Sequence, residues 1–165
     1  MNKLLKRLSF LLIGFVMVMF SSCNGNDDFP EEGYFTISGR TYSITDASLE
    51  SMAYTSGLYK VKLSFYNSTK DMELAFFIYS ESNQYIPEGK YTPYFDDNEY
   101  EDTFEYGVWY IKGEEYRKIY TGEIEVVESG VDNCKIAIEG MDEYSTGVAA
   151  KYSGKLEIKY SGDGK

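Results

Sequence analysis

Read as alternating apolar and polar positions, most of the chain keeps a period of two. The plainest case is "LYKVKLSFY", residues 58–66. Tyr59, Val61, Leu63 and Phe65 share one side, and Lys60, Lys62 and Ser64 the other, which is the pattern of a half-buried strand. "FTISGRTYSI" sets Phe35 and Ile37 before a turn at Gly39 and Tyr42 and Ile44 after it, a hairpin. "ASLESMAY", 47–54, is a weaker strand closed by the turn "TSG". After the turn residues "NSTKD", "MELAFFIYS" is apolar on both faces from Leu74 to Tyr79, as expected of a sheet centre covered on both sides. Asn67-Ser-Thr matches a glycosylation acceptor, but these residue types also supply turn chemistry.

"YIPEGKYTPYF" carries Pro87 and Pro93, neither able to donate a ladder hydrogen bond, so it is predicted as an edge or a crossing between sheets. In "FEYGVWYIKG", Phe104, Tyr106, Val108 and Tyr110 are in phase, with Trp109 and Ile111 on the other face. "YRKIYTGEIEVVESG" reads as one strand interrupted at Gly122, with Ile124 and Val126 alternating with Glu123 and Glu125. "NCKIAIEG" and "GVAAKYSGKLEIKY" complete the set. Nothing after residue 33 keeps a helical period over three turns. About nine to eleven closely spaced strands with glycine turns predict an all-β domain. The favoured form is an antiparallel β-sandwich, which suits a doubly apolar central strand; the alternative is a closed, lipocalin-like β-barrel.

The first 33 residues break this pattern. Lys3, Lys6 and Arg7 precede the unbroken run "LSFLLIGFVMVMF", residues 8–20. That run is too short for a spanning helix, which needs roughly 20 apolar residues, and it fits the apolar region of a secretory signal. "FSSC", 20–23, resembles the lipobox of bacterial lipoproteins, with Phe20 where leucine is usual. The resemblance implies that Cys23 is acylated through its sulfur and becomes the first mature residue. One acyl chain binds a membrane only marginally; the several chains of a bacterial lipoprotein hold firmly. "CNGNDDFPEEG" is similar to the acidic export signal of surface lipoproteins of Bacteroidota, with Asp27 and Asp28 as its acidic pair. The layout also resembles small lipoproteins of that group, through "IPEGKYTPY" (86–94), "TGEIEVVES" (121–129) and "YSGKLEIKY" (152–160). The expected organisation is a signal peptide over 1–22, a flexible acidic tether over 23–32, a single β domain over 33–162 and an unstructured tail over 163–165. The expected address is the outer membrane, lipid-anchored, at the cell surface rather than the periplasmic face.

Removing residues 1–22 from 165 leaves 143, enough for one domain with a real core. It also removes three basic residues and no acid, taking the net charge from −11 to −14. Such a surface repels phosphate backbones, so nucleic acid is not an expected partner. The absence of histidine from the chain excludes Ser-His-Asp and Cys-His mechanisms. With Cys23 lipidated, Cys134 is the one remaining thiol, in phase with Ile136 and Ile138 and read as a small buried apolar side chain.

Three groups of residues are candidates for chemistry. The acidic loop Asp96, Asp97, Asn98, Glu99, Glu101 and Asp102 offers oxygens for calcium, which takes about six to eight. It lacks EF-hand spacing, so it is a weak calcium site or a solvated hairpin tip, and no metal or other cofactor beyond the lipid is expected. A glycosidase needs two carboxylates roughly 5 to 9.5 Å apart. Glu123 and Glu125 share a strand face, and Glu114 stands near the "GEEY" turn, but none sits in a recognisable motif. The aromatics lead: 17 tyrosines, ten phenylalanines and Trp109. Tyrosine or tryptophan rings on an exposed sheet stack on the apolar faces of sugars, and Trp109 with Ile111 is the candidate ligand-binding pair if the strand's other face is the core. The expected function is non-catalytic: a lipid-anchored envelope protein that binds glycan or an outer-membrane protein partner. Two alternatives stand behind it, a barrel enclosing a small apolar ligand and a carboxylate-dependent hydrolase.

Overall fold

The computed structural model describes residues 29–55, 57–95, 100 and 102–160. The chain is all-β. Its strands are β1 (Tyr34–Ile37), β2 (Arg40–Ser43), β3 (Asp46–Thr55), β4 (Leu58–Tyr66), β5 (Met72–Ser80), β6 (Gly89–Pro93), β7 (Thr103–Ile111), β8 (Glu114–Glu128), β9 (Cys134–Asp142), β10 (Gly147–Gly154) and β11 (Glu157–Tyr160). All eleven belong to one sheet, in the order β11-β3-β4-β5-β7-β6-β8-β9-β10-β1-β2, and β7 also pairs with β8. The sheet curls on itself into a half-barrel, so the two layers expected of a sandwich are two arms of one continuous sheet. Phe65 of β4 meets Tyr152 of β10 across the interior, ring centroids 5.4 Å apart.

Most neighbours are antiparallel, but β6 runs parallel to β7 and β11 parallel to β3. The first exception explains the prolines. β6 is a short wedge entering where β7 and β8 diverge. Thr92 and Tyr94 donate their N–H groups to Asp102 and Phe104 on the β7 side. The nitrogen of Pro93 therefore faces β8, where pairing has already ended at Tyr91, and its missing donor costs no ladder bond. The segment is neither an edge nor a crossing but a wedge between the two arms.

β8 is continuous through Gly122, where the sequence suggested an interruption. It bends instead. Gly122 has φ +129°, and an added Cβ would stand 2.0 Å from the carbonyl oxygen of Glu139 on β9. Only glycine permits that backbone angle and that close an approach. Register shifts on either side, between Ile119 and Thr121 and between Val126 and Glu128, add to the bend. The first half of β8 thus pairs with β7 and the second with β6.

The concave side holds one core. Phe35 and Ile37, Leu49, Val61, Leu63 and Phe65, Leu74, Phe76 and Ile78, Phe104, Ile124 and Val126, Ile136 and Ile138, and Val148 and Ala150 all point into it. The β1–β2 hairpin has the register the sequence implied, with Ser38 and Gly39 both at positive φ, the backbone of a two-residue type I′ turn. Asn67 closes the β4–β5 turn, its side chain bonding Thr69 and Asp71 and accepting from the N–H of Met72. Cys134 lies in the core, where burial and then the charge of Glu128 push its thiol up to about 12, leaving it unreactive near neutrality.

The convex face of β5 is also closed, though among the described residues no second layer covers it. Ala75 and Tyr79 are buried there. Phe77 packs on Tyr106 at 4.7 Å between centroids. Lys60 lies over the Phe77 ring and pairs with Glu105; Lys62 lies over Tyr110 and pairs with Glu73 at 2.7 Å. Aromatic rings and lysine stems from adjacent strands roof the sheet, keeping the charged heads toward water. The doubly apolar strand is therefore covered on both sides, but by its own sheet.

Candidate functional site

Trp109 and Ile111 do not face outward. Trp109 is 7 % exposed and belongs to the core cluster, and Ile111 packs against that cluster. The reason is a bulge at Glu105. Phe77 pairs with Tyr106 and Ile78 with Phe104, so one β7 residue has no partner on β5. The extra residue shifts the phase by one: Phe104 points inward, while Tyr106, Val108 and Tyr110 point to the convex side. Trp109 then pairs with Leu74 and shares the concave face. Its indole N–H has no hydrogen-bond partner. Ile111 lines a shallow cleft with Lys112, Glu114, Glu115 and Tyr116 at the β7–β8 turn.

Beside Trp109 lies a polar staple. Arg117, opposite Trp109 on β8, reaches the Oδ2 of Asp142 at 3.2 Å. The Asp142 side chain is fully buried and its Oδ1 accepts from the backbone N–H groups of Tyr144 and Thr146. The rings of Tyr144 and Tyr116 lie 4.7 and 5.1 Å from the guanidinium carbon. Burial pushes the Asp142 carboxyl up, but those two N–H groups and the guanidinium outweigh it and hold it below the ordinary carboxylate range. With its hydrogen bonds satisfied within the protein, this group staples β8 to the β9–β10 turn.

Asp96, Asp97, Glu99 and Glu101 lie outside the described residues, as does Cys23. Asp102 is exposed, with φ 52°. Among the described residues no three potential metal-ligating side chains come together. Glu123 and Glu125 share Lys90, whose Nζ is 2.7 and 3.8 Å from them. Glu114 is exposed in the β7–β8 hairpin.

The structure instead assembles a cluster of four tyrosines at one corner. β3 and β5 run the same way on either side of β4 and β7 runs opposite, so the end of β3, the end of β5 and the start of β7 meet, and the chain leaving β6 arrives beside them. Each contributes a ring: Tyr54, Tyr79, Tyr100 and Tyr94. Tyr94 and Tyr100 are stacked, 4.7 Å apart and within 5° of parallel. Tyr79 lies beneath, 4.7 Å from Tyr100, 5.8 Å from Tyr94 and 5.2 Å from Tyr54. The hydroxyl of Tyr54 donates to that of Tyr100 at 3.3 Å. Tyr79 is buried, Tyr54 is 41 % exposed, and the adjoining Phe95 is 58 % exposed.

The cluster borders a cleft of about 230 Å³ lined by Leu58, Tyr79, Ser80, Glu81, Pro87, Tyr91 and Asp102. Tyr91, its ring buried, donates to the carbonyl of Pro87 at 2.8 Å. Burial, then the charges of Asp102 and Glu81, raise its phenol; burial and then Glu105 raise that of Tyr79. Both stay protonated across the physiological range. The corner thus offers ring faces, phenol hydroxyls and two carboxylates within one concave surface.

Sequence reasoning did not find this corner, because nothing in period two brings four separate segments together. A local signal exists. "AYTSG", "IYSES", "PYFDD" and "EYEDT" each set a tyrosine beside turn-forming or acidic residues at a strand end, and an up-and-down order stacks alternate ends. Compared with known proteins, the chain matches no family model, no curated protein and no solved structure.

The staple is testable apart from any ligand. Arg117→Met leaves the buried Asp142 without its cation and is expected to lower the stability measured by urea melts at pH 7. The Asp142 carboxyl is held low in the fold, so its stabilisation is present above the unfolded value of about 3.9 and is lost as pH falls through the folded one. In urea melts, the stability gap between the protein and Asp142→Asn should therefore narrow below about pH 4. A constant gap would contradict this assignment.

Proposed function

We propose that the protein is a lipid-anchored, non-catalytic module of the cell envelope, held at the outer membrane by acyl chains on Cys23, that binds glycan on its tyrosine corner. The observation that carries the binding site is the four-ring cluster formed by Tyr54, Tyr79, Tyr94 and Tyr100 beside a cleft with hydrogen-bonding walls. Rings of this kind stack on the apolar faces of sugars, while hydroxyls and carboxylates orient the sugar hydroxyls. The buried Trp109 has no part in it. The anchor rests on the lipobox-like "FSSC" and the acidic residues that follow.

A non-catalytic role is supported by the state of the carboxylates. Glu123 and Glu125 are both engaged by Lys90. The two acids of the cleft have the tyrosine corner beside them, which serves adhesion.

Two measurements test this reading separately. Cys23→Ala is expected to move the protein from the membrane fraction to the soluble fraction; a variant that stays with the membrane would remove the anchor. For the site, detergent-solubilised full chain is tested against immobilised glycans. Tyr54→Ala and Tyr94→Ala should each weaken binding about tenfold, from roughly 1 kcal/mol or a little more per stacking ring, while the Arg117→Met protein binds normally. Glycan binding that survives both tyrosine changes would place the site elsewhere.

A further inference from the structure

The tyrosine corner carries two carboxylates beside its rings. Many carboxylates of the sheet have partners within the fold: Glu73 with Lys62, Glu105 with Lys60, Glu128 with Lys135, Asp142 with Arg117, and Glu123 and Glu125 with Lys90. In the cleft, Glu81 and Asp102 have no ion-pair partner among the described residues. They line the same cavity of about 230 Å³. Tyr79 and Tyr91 line it with them, both fixed: Tyr79 is packed under Tyr54, Tyr94 and Tyr100, and Tyr91 is bonded to Pro87.

Two carboxylates that line one cleft with tyrosine rings form an environment for a cation. A metal ion is a poor fit. Calcium asks for about six to eight oxygens, and the cleft offers two carboxylates, Ser80 and otherwise hydrocarbon and ring. Moreover, the Ser80 hydroxyl already donates to the carbonyl of Tyr85 and accepts from the N–H of Ser82. An organic ammonium fits better. It gives its N–H donors to the carboxylates, and its charge lies against the rings. Tyr79 belongs to both surfaces, lining the cleft and supporting the stacked pair, and Asp102 follows Tyr100 by two residues. A ligand held on Tyr94 and Tyr100 therefore lies beside the cleft.

We propose that the glycan taken by this corner carries a free amino group: an amino sugar without its acetyl cap, its ring on the tyrosines and its ammonium between Glu81 and Asp102. The inference rests on the glycan-binding reading above and adds the ligand class. An N-acetylated sugar loses the charge and brings a bulky amide to the carboxylates, so it binds more weakly. Neutralising either acid removes the preference without removing the stacking surface.

The test uses detergent-solubilised full chain and two trisaccharides of equal linkage, one of glucosamine and one of N-acetylglucosamine, titrated by calorimetry at physiological salt. The glucosamine trimer should bind at least tenfold tighter, the size of effect given by one charge-assisted hydrogen bond of roughly 1.5 kcal/mol or more. Glu81→Gln and Asp102→Asn should each cut that preference severalfold while leaving the binding of the acetylated trimer unchanged. Glu139→Gln, on the exposed face of β9, should leave both unchanged and so control for overall negative charge. Equal binding of the two trimers, with loss in Tyr94→Ala, would overturn the amine inference and keep the glycan reading. A preference that persists in Glu81→Gln and Asp102→Asn would overturn the site. No binding of either trimer, with neutral glycans still captured through the tyrosines, would overturn the ligand class alone. No glycan binding of any kind would remove both readings.

Discussion

A sheet of eleven strands has two faces, and this chain builds a single hydrophobic core with which to cover them. The curl disposes of the concave face. Bending at Gly122, where the backbone of β9 leaves no room for a Cβ, turns the two arms toward one another, and Phe35, Phe65, Phe76 and Phe104 fill the space between. Among the described residues the convex face receives no helix and no second sheet. At its centre, β5 still places Ala75, Phe77 and Tyr79 outward, and that apolar surface has to be taken from water by side chains of the neighbouring strands. The abundance of tyrosine follows from this constraint. A phenol ring covers area like a phenylalanine and still presents a hydroxyl to solvent. Lysines complete the roof with their stems and place their charges beside Glu73 and Glu105.

The tyrosine corner is where that roof meets the edge. Over the middle of the sheet the rings are capped by lysine, as at Phe77 and Tyr110. At the ends of β3 and β5 the rings cap one another, and Tyr54 and Phe95 stay open to solvent. The cleft beside them is lined by rings and by two acids without ion-pair partners among the described residues. A structural device for covering a one-layer sheet has become, at one corner, a surface with the composition of a binding site. The opposite corner shows the contrast. There Arg117, Asp142, Tyr116 and Tyr144 spend their charges and rings on each other, which leaves a staple.

Much of the fold was legible in the sequence. The alternation of Val61, Leu63 and Phe65 with Lys60, Lys62 and Ser64 set the face of β4 correctly, and the doubly apolar β5 stands well inside the sheet. Ser38-Gly39 marked its hairpin. Phase failed at Trp109 because β7 carries large residues on both faces, so period two has no polar side to register against, and the bulge at Glu105, two residues before Gly107, reverses the pattern. The parallel pairing of β11 with β3 joins residues 157–160 to 48–51, a contact no local pattern encodes. The tyrosine corner was illegible for the same reason: Tyr54, Tyr79, Tyr94 and Tyr100 become neighbours only through strand order. Reading Gly122 as an interruption also missed its role, since the strand continues and the glycine supplies the bend.

The central claim is that ligand recognition sits on the convex tyrosine corner and that the tryptophan end is structural. Aromatic-resolved NMR of the full chain in detergent, titrated with the glucosamine trimer, tests this most directly. The expected result is movement of the ring signals of Tyr54, Tyr79, Tyr94 and Tyr100 on one binding curve, with the buried indole N–H of Trp109 unmoved. Movement of the Trp109 indole and of Tyr116 and Tyr144, with the four tyrosines silent, would contradict it.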